Sequence, residues 1–388
     1  MRKWSAWIVF LLTLTLPFCK SKKNTEVRVE LKNGVKYVYN PDKPIKGKIP
    51  LQLKEILKIN LEEIGGVVLS YPGSVARDSM GNIFVTDGKT YKVYKINTKG
   101  KLLKSFMKKG EGPGEFKFFP RLYIRGNKLM VASYQKLAEF DLEGNLIKEW
   151  KFEKTYPRLL PLKENLVLGG FLKFSKEKGV MPEKEIILMS PEGNNQRLIF
   201  KSKSTGRLFI KVGKYTFSVS TNPFIIPDVI WAYNPASDMI YLAESDKYKI
   251  YVKDIEGNTR MVIEREYTKV PFTPQDKEKV MSKLQKMPEK FLNALRKNLP
   301  DQLCALSSIY ATPSGYILAR SVKAYNKFDF DVFSPQGKFM YTLELPEGID
   351  FEWVLFPYNG IISTVKEDDD TYYYIEYKVK NLNEVFGK

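Results

Sequence analysis

A strand–turn–strand unit that recurs six times, a glycine hairpin that recurs five times, and helical periodicity confined to one short stretch predict an all-β fold. The architecture they predict is a six-bladed β-propeller with a short helical insertion. The hairpin reads apolar strand, then a turn of the type Asp-x-x-Gly-Asn/Lys, then apolar strand. Its copies occupy 97–101, 141–145, 190–194, 254–258 and 334–338, with Gly100, Gly144, Gly193, Gly257 and Gly337 in the same place in each. Upstream of each lies a second polar turn followed by a short apolar strand. These turns fall at 78–82, 125–128, 162–165, 235–238, 312–315 and 357–360, the sixth being followed by Ile361-Ile362-Ser363. In the sixth unit the acidic run 367–370 serves as the turn before Tyr372-Tyr373-Tyr374-Ile375. A four-stranded unit cannot bury both its own faces, whereas a ring of six can. A β-sandwich is the alternative, but it leaves the sixfold recurrence unexplained.

Taken in order, the chain divides into residues 1–18 as a signal peptide, 19–26 as a lipidated tether and 27–388 as the propeller. Arg2 and Lys3 precede the uncharged apolar run 4–18. Fifteen residues at ~1.5 Å each reach ~22 Å, short of a bilayer core of ~30 Å, so a cleaved leader is expected. Alternating residues 27–31 and 35–39 flank Asn33-Gly34, a hairpin signal, and the run 40–44, with Pro41 and Pro44, breaks the ladder. Residues 51–61 fit a strand or a short helix. Because the sixth unit is short of strands, the N-terminal strands are expected to close the last blade. At 273–276, Thr-Pro-Gln-Asp is a helix start, with Thr as cap and Pro at the first position. Val280, Met281, Leu284 and Met287 follow at helical spacing. Pro288 restarts a second helix carrying Phe291, Leu292, Leu295 and Leu299, giving a helical insertion over 273–300.

Composition narrows the chemistry. Histidine is absent and only Cys19 and Cys304 are present, which removes Ser-His-Asp and Cys-His catalysis, imidazole metal sites and a disulfide framework. Cys304, among Leu303, Ala305 and Leu306, reads as a small buried residue. The net charge of +19 is spread along the chain with acids interleaved. A general lysine habit explains it, and so does an anionic partner. The local patch that stands out is the insertion, with Lys277, Lys279, Lys283, Lys286, Lys290, Arg296 and Lys297 against Asp276, Glu278 and Glu289. These seven cations form the candidate interaction patch, and a solvated helix face explains them equally well. The glycine-rich loop 110–116 runs into another strand rather than a helix, so it reads as a blade linker and not a phosphate cradle. The run 367–370 lacks the spacing of a calcium loop and reads as a solvated hairpin tip.

Two resemblances add to this reading. Leu16-Pro17-Phe18-Cys19 followed by Lys20-Ser21-Lys22-Lys23 resembles a bacterial lipoprotein leader, in which the cysteine is acylated and becomes the first mature residue. Phe18 stands where that family prefers Gly, Ala or Ser; an uncleaved anchor and simple secretion are the alternatives. Residues 71–87 resemble the NHL repeat, with its Pro-x-x-Val, Asp-x-x-Gly and Val-x-Asp landmarks at Pro72, Val75, Asp78, Gly81, Val85 and Asp87. Gly110-Glu111-Gly112-Pro113-Gly114 is similar to the blade-linking loop of NHL-like six-bladed propeller lipoproteins of bacteria. The likeness is specific over 70–119 and fades in later blades.

The resemblance implies a fold and an address: outside the cytoplasm, held by lipid, on the outer membrane facing the periplasm or the surface. The family has no single activity. A binding platform for an envelope protein, peptide or glycan, acting as a monomer and without nucleic acid, is the expected function, and no cofactor is expected. One alternative is a metal-dependent propeller hydrolase or lactonase with a divalent cation on the axis, for which Glu62, Glu63, Asn222 and Asp228 are the candidates near blade starts. The other is adhesion to an acidic glycan or anionic polymer through lysine-rich faces.

Overall fold

In a computed structural model, the described residues are 26–163, 166–175, 177, 180–213, 215–220, 222–284, 286–346, 360–369 and 371–381. The leader, Cys19, part of the turns at 162–165 and 357–360, and Asp370 lie outside them.

The chain begins with the hairpin β1 (Arg28–Lys32) and β2 (Val35–Asn40), then β3 (Lys48–Pro50) and β4 (Leu53–Asn60). Blades one to three follow as antiparallel four-stranded sheets. They are β5–β8 (Pro72–Arg77, Ile83–Asp87, Val93–Ile96, Leu102–Phe106), β9–β12 (Arg121–Arg125, Lys128–Ser133, Lys136–Asp141, Leu146–Lys151) and β13–β16 (Arg158–Pro161, Val167–Lys173, Glu183–Met189, Arg197–Ser202). A separate hairpin, β17 (Arg207–Val212) and β18 (Tyr215–Ser220), precedes blade four. That blade is β19–β22 (Val229–Asn234, Met239–Glu244, Lys249–Lys253, Thr259–Arg265). Helices α1 (Pro274–Ser282) and α2 (Glu289–Asn298) lead to blade five, β23–β26 (Leu306–Ala311, Ile317–Ala324, Lys327–Phe333, Phe339–Glu344). The described part of the sixth sheet is β27 (Ile361–Asp368), β28 (Thr371–Val379) and β4.

The N-terminal strands divide their work. Only β4, the segment left open between strand and helix, joins the last blade, antiparallel to β28. β2 instead extends blade four, parallel to β22, and β3 extends blade five, parallel to β26. The chain thus runs along the outer edges of three blades and covers edge strands that would otherwise expose backbone donors and acceptors. Asn40 ties this belt down: its side chain donates to the carbonyl of Gly337 at 3.0 Å and accepts from the amide of Phe339 at 2.7 Å.

The blades are buried on both faces, which is why their second strands carry consecutive apolar residues, as at Ile83-Phe84-Val85, rather than an alternating pattern. Ile83 and Val85 face β4 and Tyr374 of blade six, while Phe84 between them faces Leu129 and Phe140 of blade two. The same division puts Leu129 and Val131 against blade one and Met130 against blade three. Ile240 and Leu242 point to blade three, and Tyr241 to blade five. The six inter-blade cores so formed include one between blades six and one, which closes the ring.

The five hairpin glycines all have positive φ, between 75° and 85°. In each of these blades the register between the third and fourth strands slips by one at the turn, the mark of a glycine bulge. Asp141 shows the device: its carboxylate accepts from the amides of Glu143 and Asn145 at 2.9 and 2.8 Å and so closes the turn.

Candidate functional site

Strand direction sorts the loops onto two faces. The turns joining first to second and third to fourth strands, glycine hairpins included, lie on one face. The connections between blades and the turns joining second to third strands lie on the other, here called the connection face. Both departures from the repeat, β17–β18 and α1–α2, are connections between blades and so share that face. They pack on each other through Ile210, Phe224, Phe272, Met281, Phe291 and Leu295 and form a cap beside the axis. Thr273 caps α1 by accepting from the amide of Asp276 at 3.2 Å, and Pro288 stands at the start of α2.

Beneath the connection face the innermost strands leave an axial cavity of about 610 Å³. Its walls come from the first residues of several inner strands: Ser74 on β5, Arg121 opening β9, Arg158 opening β13, Trp231 on β19 and Ser308 on β23, with Lys184 from β15. Arg207 and Asp228 reach it from the connection before blade four. Two bulges shape the wall, one between Pro72 and Val75 and one between Leu306 and Ser308, and they set Gly73, Ser74 and Ser307 against the axis. Gly170 makes room for the indole: a Cβ there would meet the ring of Trp231 at 2.5 Å.

The electrostatics are one-sided. Arg121, Arg158, Lys184 and Arg207 line the cavity with Asp228 as the acid among the lining residues. Asp228 is occupied: Lys184 pairs with it, the Val229 amide donates to it at 2.7 Å, and Gly206 lies close against it. Arg158 donates through Nη2 to the Trp231 carbonyl at 3.2 Å, and its guanidinium carbon lies 4.7 Å from the indole centroid. Burial pushes the pKa of Arg158 down from the ordinary guanidinium value. Burial lowers that of Lys184 too, against the opposing pull of Asp228. Around the cavity, Arg158 Nε, Trp231 Nε1, Ser308 Oγ and Ser363 Oγ are buried with no hydrogen-bond partner among the described residues.

The candidate ligands of the metal-dependent alternative do not assemble among the described residues. Asp228 reaches the axial cavity, but Glu62 accepts from the Tyr372 amide at 3.3 Å at the blade-six edge, and the carbonyl of Asn222 holds a turn ending at Ile225 and Ile226. Glu63 is exposed on the connection following β4. Among the described residues no three acidic or cysteine side chains group as metal ligands would. In the basic patch, Lys277 pairs with Asp301 at 2.8 Å, Lys279 with Asp276 at 3.1 Å and Arg296 with Glu278 at 3.0 Å. Lys283, Lys286, Lys290 and Lys297 are exposed on the same insertion. The glycine loop 110–116 folds back on itself, Gly112 donating to the Glu115 carboxylate at 3.0 Å and Gly114 to Glu149 at 2.8 Å, as a blade linker would.

Sequence reasoning missed the axial cations, which lie far apart in the chain. The one signal they share is a basic residue at the first or second place of a strand that follows a connection or a second-to-third turn.

Fold and site together define a six-bladed β-propeller with a cationic axial funnel under a two-part cap. The chain belongs to the DUF5128 family, described as a 6-bladed beta-propeller, whose model matches residues 53–284. No curated relative matches the sequence. Among solved structures it is similar to a protein of Bacteroides fragilis NCTC 9343 provisionally described as exported, at 11% identity and a TM-score of 0.50, covering 87% of this chain and 100% of that one. It is also similar to a member of the DUF4221 family from Bacteroides vulgatus, at 12% identity and a TM-score of 0.50, covering 85% and 99%. At these identities the likeness is one of fold.

Proposed function

We propose that the protein is an extracytoplasmic binding module, held to a membrane by acylation at Cys19, whose connection face is the working face. The observation that carries this reading is the placement of exposed rings. Tyr71, Phe118, Tyr134, Phe174, Tyr215 and Phe217 are the exposed aromatic side chains among the described residues, and all six sit on that face. They come from inter-blade connections, second-to-third turns and the β17–β18 hairpin, which the rest of the repeat does not require. Phe118 and Tyr134 pack in a tilted pair with centroids 4.9 Å apart, so part of this apolar surface is ordered before a partner arrives. Exposed aromatic surface rimmed by charge is the usual composition of an interaction site. A protein, peptide or glycan of the cell envelope is the partner class this surface suits.

The test compares capture of envelope components by the full chain and by a variant carrying Tyr71→Ser, Phe118→Ser and Tyr134→Ser, with Met80→Ser on the opposite face as control. Loss in the triple variant alone supports the reading; equal capture by all three proteins sinks it. Metabolic labelling with a radioactive fatty acid, present in the native chain and absent in Cys19→Ser, tests the anchor separately.

A further inference from the structure

Three guanidinium groups converge on the axial cavity without a counter-charge. Lys184 and Asp228 neutralise each other, which leaves Arg121, Arg158 and Arg207 with no ion pair among the described residues. Arg207 donates to the Ser218 hydroxyl at 3.0 Å, and Arg158 to a backbone carbonyl; neither partner carries charge. Arg121 is exposed and Arg207 half-buried, but Arg158 has its Nε buried without a partner; an enclosed charge without a counter-ion is costly, and arginine cannot escape the cost by losing its proton. The neutral groups of the wall point the same way. Trp231 Nε1 is a donor without an acceptor, and the hydroxyls of Ser308 and Ser363, which can donate as well as accept, are also without partners. The cavity falls inside the ~300–1,000 Å³ range of small-molecule sites.

We propose that the axial funnel binds a small organic oxyanion, a carboxylate or phosphate, with Arg158 as its principal counter-ion and Arg121 and Arg207 at the mouth. Arg158 is the anchor because the Trp231 ring and carbonyl fix its plane, which presents a fork rather than a mobile charge. The body of the ligand occupies the rest of the cavity against Tyr134 and Tyr310. The inference rests on the connection face being the working face, since the funnel opens there, but it concerns a different class of ligand from the partner of the exposed rings.

The thermal unfolding midpoint of the full chain is measured with sodium phosphate, sodium glucuronate, glucose 6-phosphate and glucose, each at matched sodium chloride. Binding to the folded state raises the midpoint in proportion to the logarithm of ligand concentration. Glucuronate or glucose 6-phosphate is expected to raise it, and glucose is not. Arg158→Met is expected to cut affinity about 10- to 100-fold, as loss of a charge-assisted contact does. It should also raise the midpoint of the ligand-free protein, because an unpaired charge is removed. A residue with only a packing role would lower that midpoint. Should Arg158→Met fail to fold, Arg121→Gln, whose side chain is exposed, must still weaken binding. A shift with glucuronate alone assigns the head group as carboxylate, and with glucose 6-phosphate alone as phosphate. Inorganic phosphate acting as strongly as glucose 6-phosphate would overturn the organic ligand. No shift beyond chloride with any anion, or a shift that survives Arg158→Met unchanged, would overturn the site. Either failure leaves capture by the ring surface intact, whereas loss of that capture role would leave anion binding untouched.

Discussion

Gly144 and Gly193 hold the same place in neighbouring blades, and they separate two reasons for a glycine. Both have φ of 80°, so an L-residue at either site is strained by about 1–2 kcal/mol. Their surroundings differ. A Cβ on Gly144 would fall 2.5 Å from the ring of Phe106 on the outer strand of blade one, while on Gly193 the nearest side-chain atom, on Phe152, is 3.8 Å away. Phe106 is itself held against Phe140, centroids 5.7 Å apart, so it cannot simply withdraw, and such overpacking costs about 1–3 kcal/mol. Gly144→Ala is therefore expected to cost about 2–5 kcal/mol and Gly193→Ala about 1–2 kcal/mol. Alanine also restricts the unfolded chain, but equally at both sites, so that effect cancels in the comparison. Urea unfolding followed by circular dichroism gives both values, provided the slopes match the parent. Adding Phe106→Ala to Gly144→Ala should recover much of the excess, visible as a coupling energy in the double-mutant cycle. Equal losses at the two glycines, or no coupling to Phe106, would refute the argument that the hairpin turn of one blade is seated on the outer strand of the preceding one.

Between blades four and five, the buried Asp331 accepts from the buried Tyr248 at 2.5 Å and Thr342 at 2.8 Å and from the partly buried Arg265 at 2.7 Å. Asp331→Ala should cost about 3–5 kcal/mol in urea unfolding because it leaves Arg265 with only Asp42, at 3.5 Å, as counter-charge, and adding Arg265→Met should restore part of that. Burial pushes the Cys304 thiol up to about 12, so it should resist a disulfide reagent at pH 8 in the folded protein and react on unfolding in urea. Prompt reaction without denaturant would contradict its burial. Hydrogen bonds from Asn145, side chain first and backbone next, hold the pKa of Asp141 down, and those from Tyr233 and then Lys163 do so for Asp238. A carboxylate whose folded pKa lies below its unfolded value of ~3.9 stabilises the fold above that pH, and the contribution disappears as pH falls through the folded pKa. The urea midpoint should accordingly drop between pH 5 and pH 3, and the drop should shrink in Asp141→Asn; an unchanged profile in that variant would count against the turn carboxylate.

The repeat was legible because ring closure writes itself into local sequence. Each second strand must be apolar on both faces, as at Ile83-Phe84-Val85, and each third-to-fourth turn needs a residue with positive φ, as at Gly144. Those demands act on neighbouring residues, so they survive as short phrases. The helical insertion was legible for the same reason, since Thr273, Pro274 and Pro288 mark its ends locally. The route of the N-terminal chain was not. Whether β2 lies beside β22 or beside β28 depends on pairing across more than two hundred residues, and a hairpin around Asn33-Gly34 reads the same in either place.

The axial funnel was hidden for a stronger reason than distance. In a chain with 63 lysines and arginines against 44 acids, four more cations carry no signal of their own. What distinguishes Arg158 is the partner it lacks, and a missing partner can be recognised only once the neighbours are in place. The basic run in the insertion drew attention because it is dense, yet Asp276, Glu278 and Asp301 offset three of its charges. Density along the chain measures how much charge a segment carries; function depends on how much is left after folding has paired it. Among the described residues the insertion keeps four unpaired cations and the axis three, but those of the insertion are exposed lysines, whereas Arg158 holds a buried, unpartnered Nε, and it is this enclosure that ranks the axis first. The substitution Arg158→Met puts this ranking to the test, because it alone should stabilise the empty protein while weakening its response to anions.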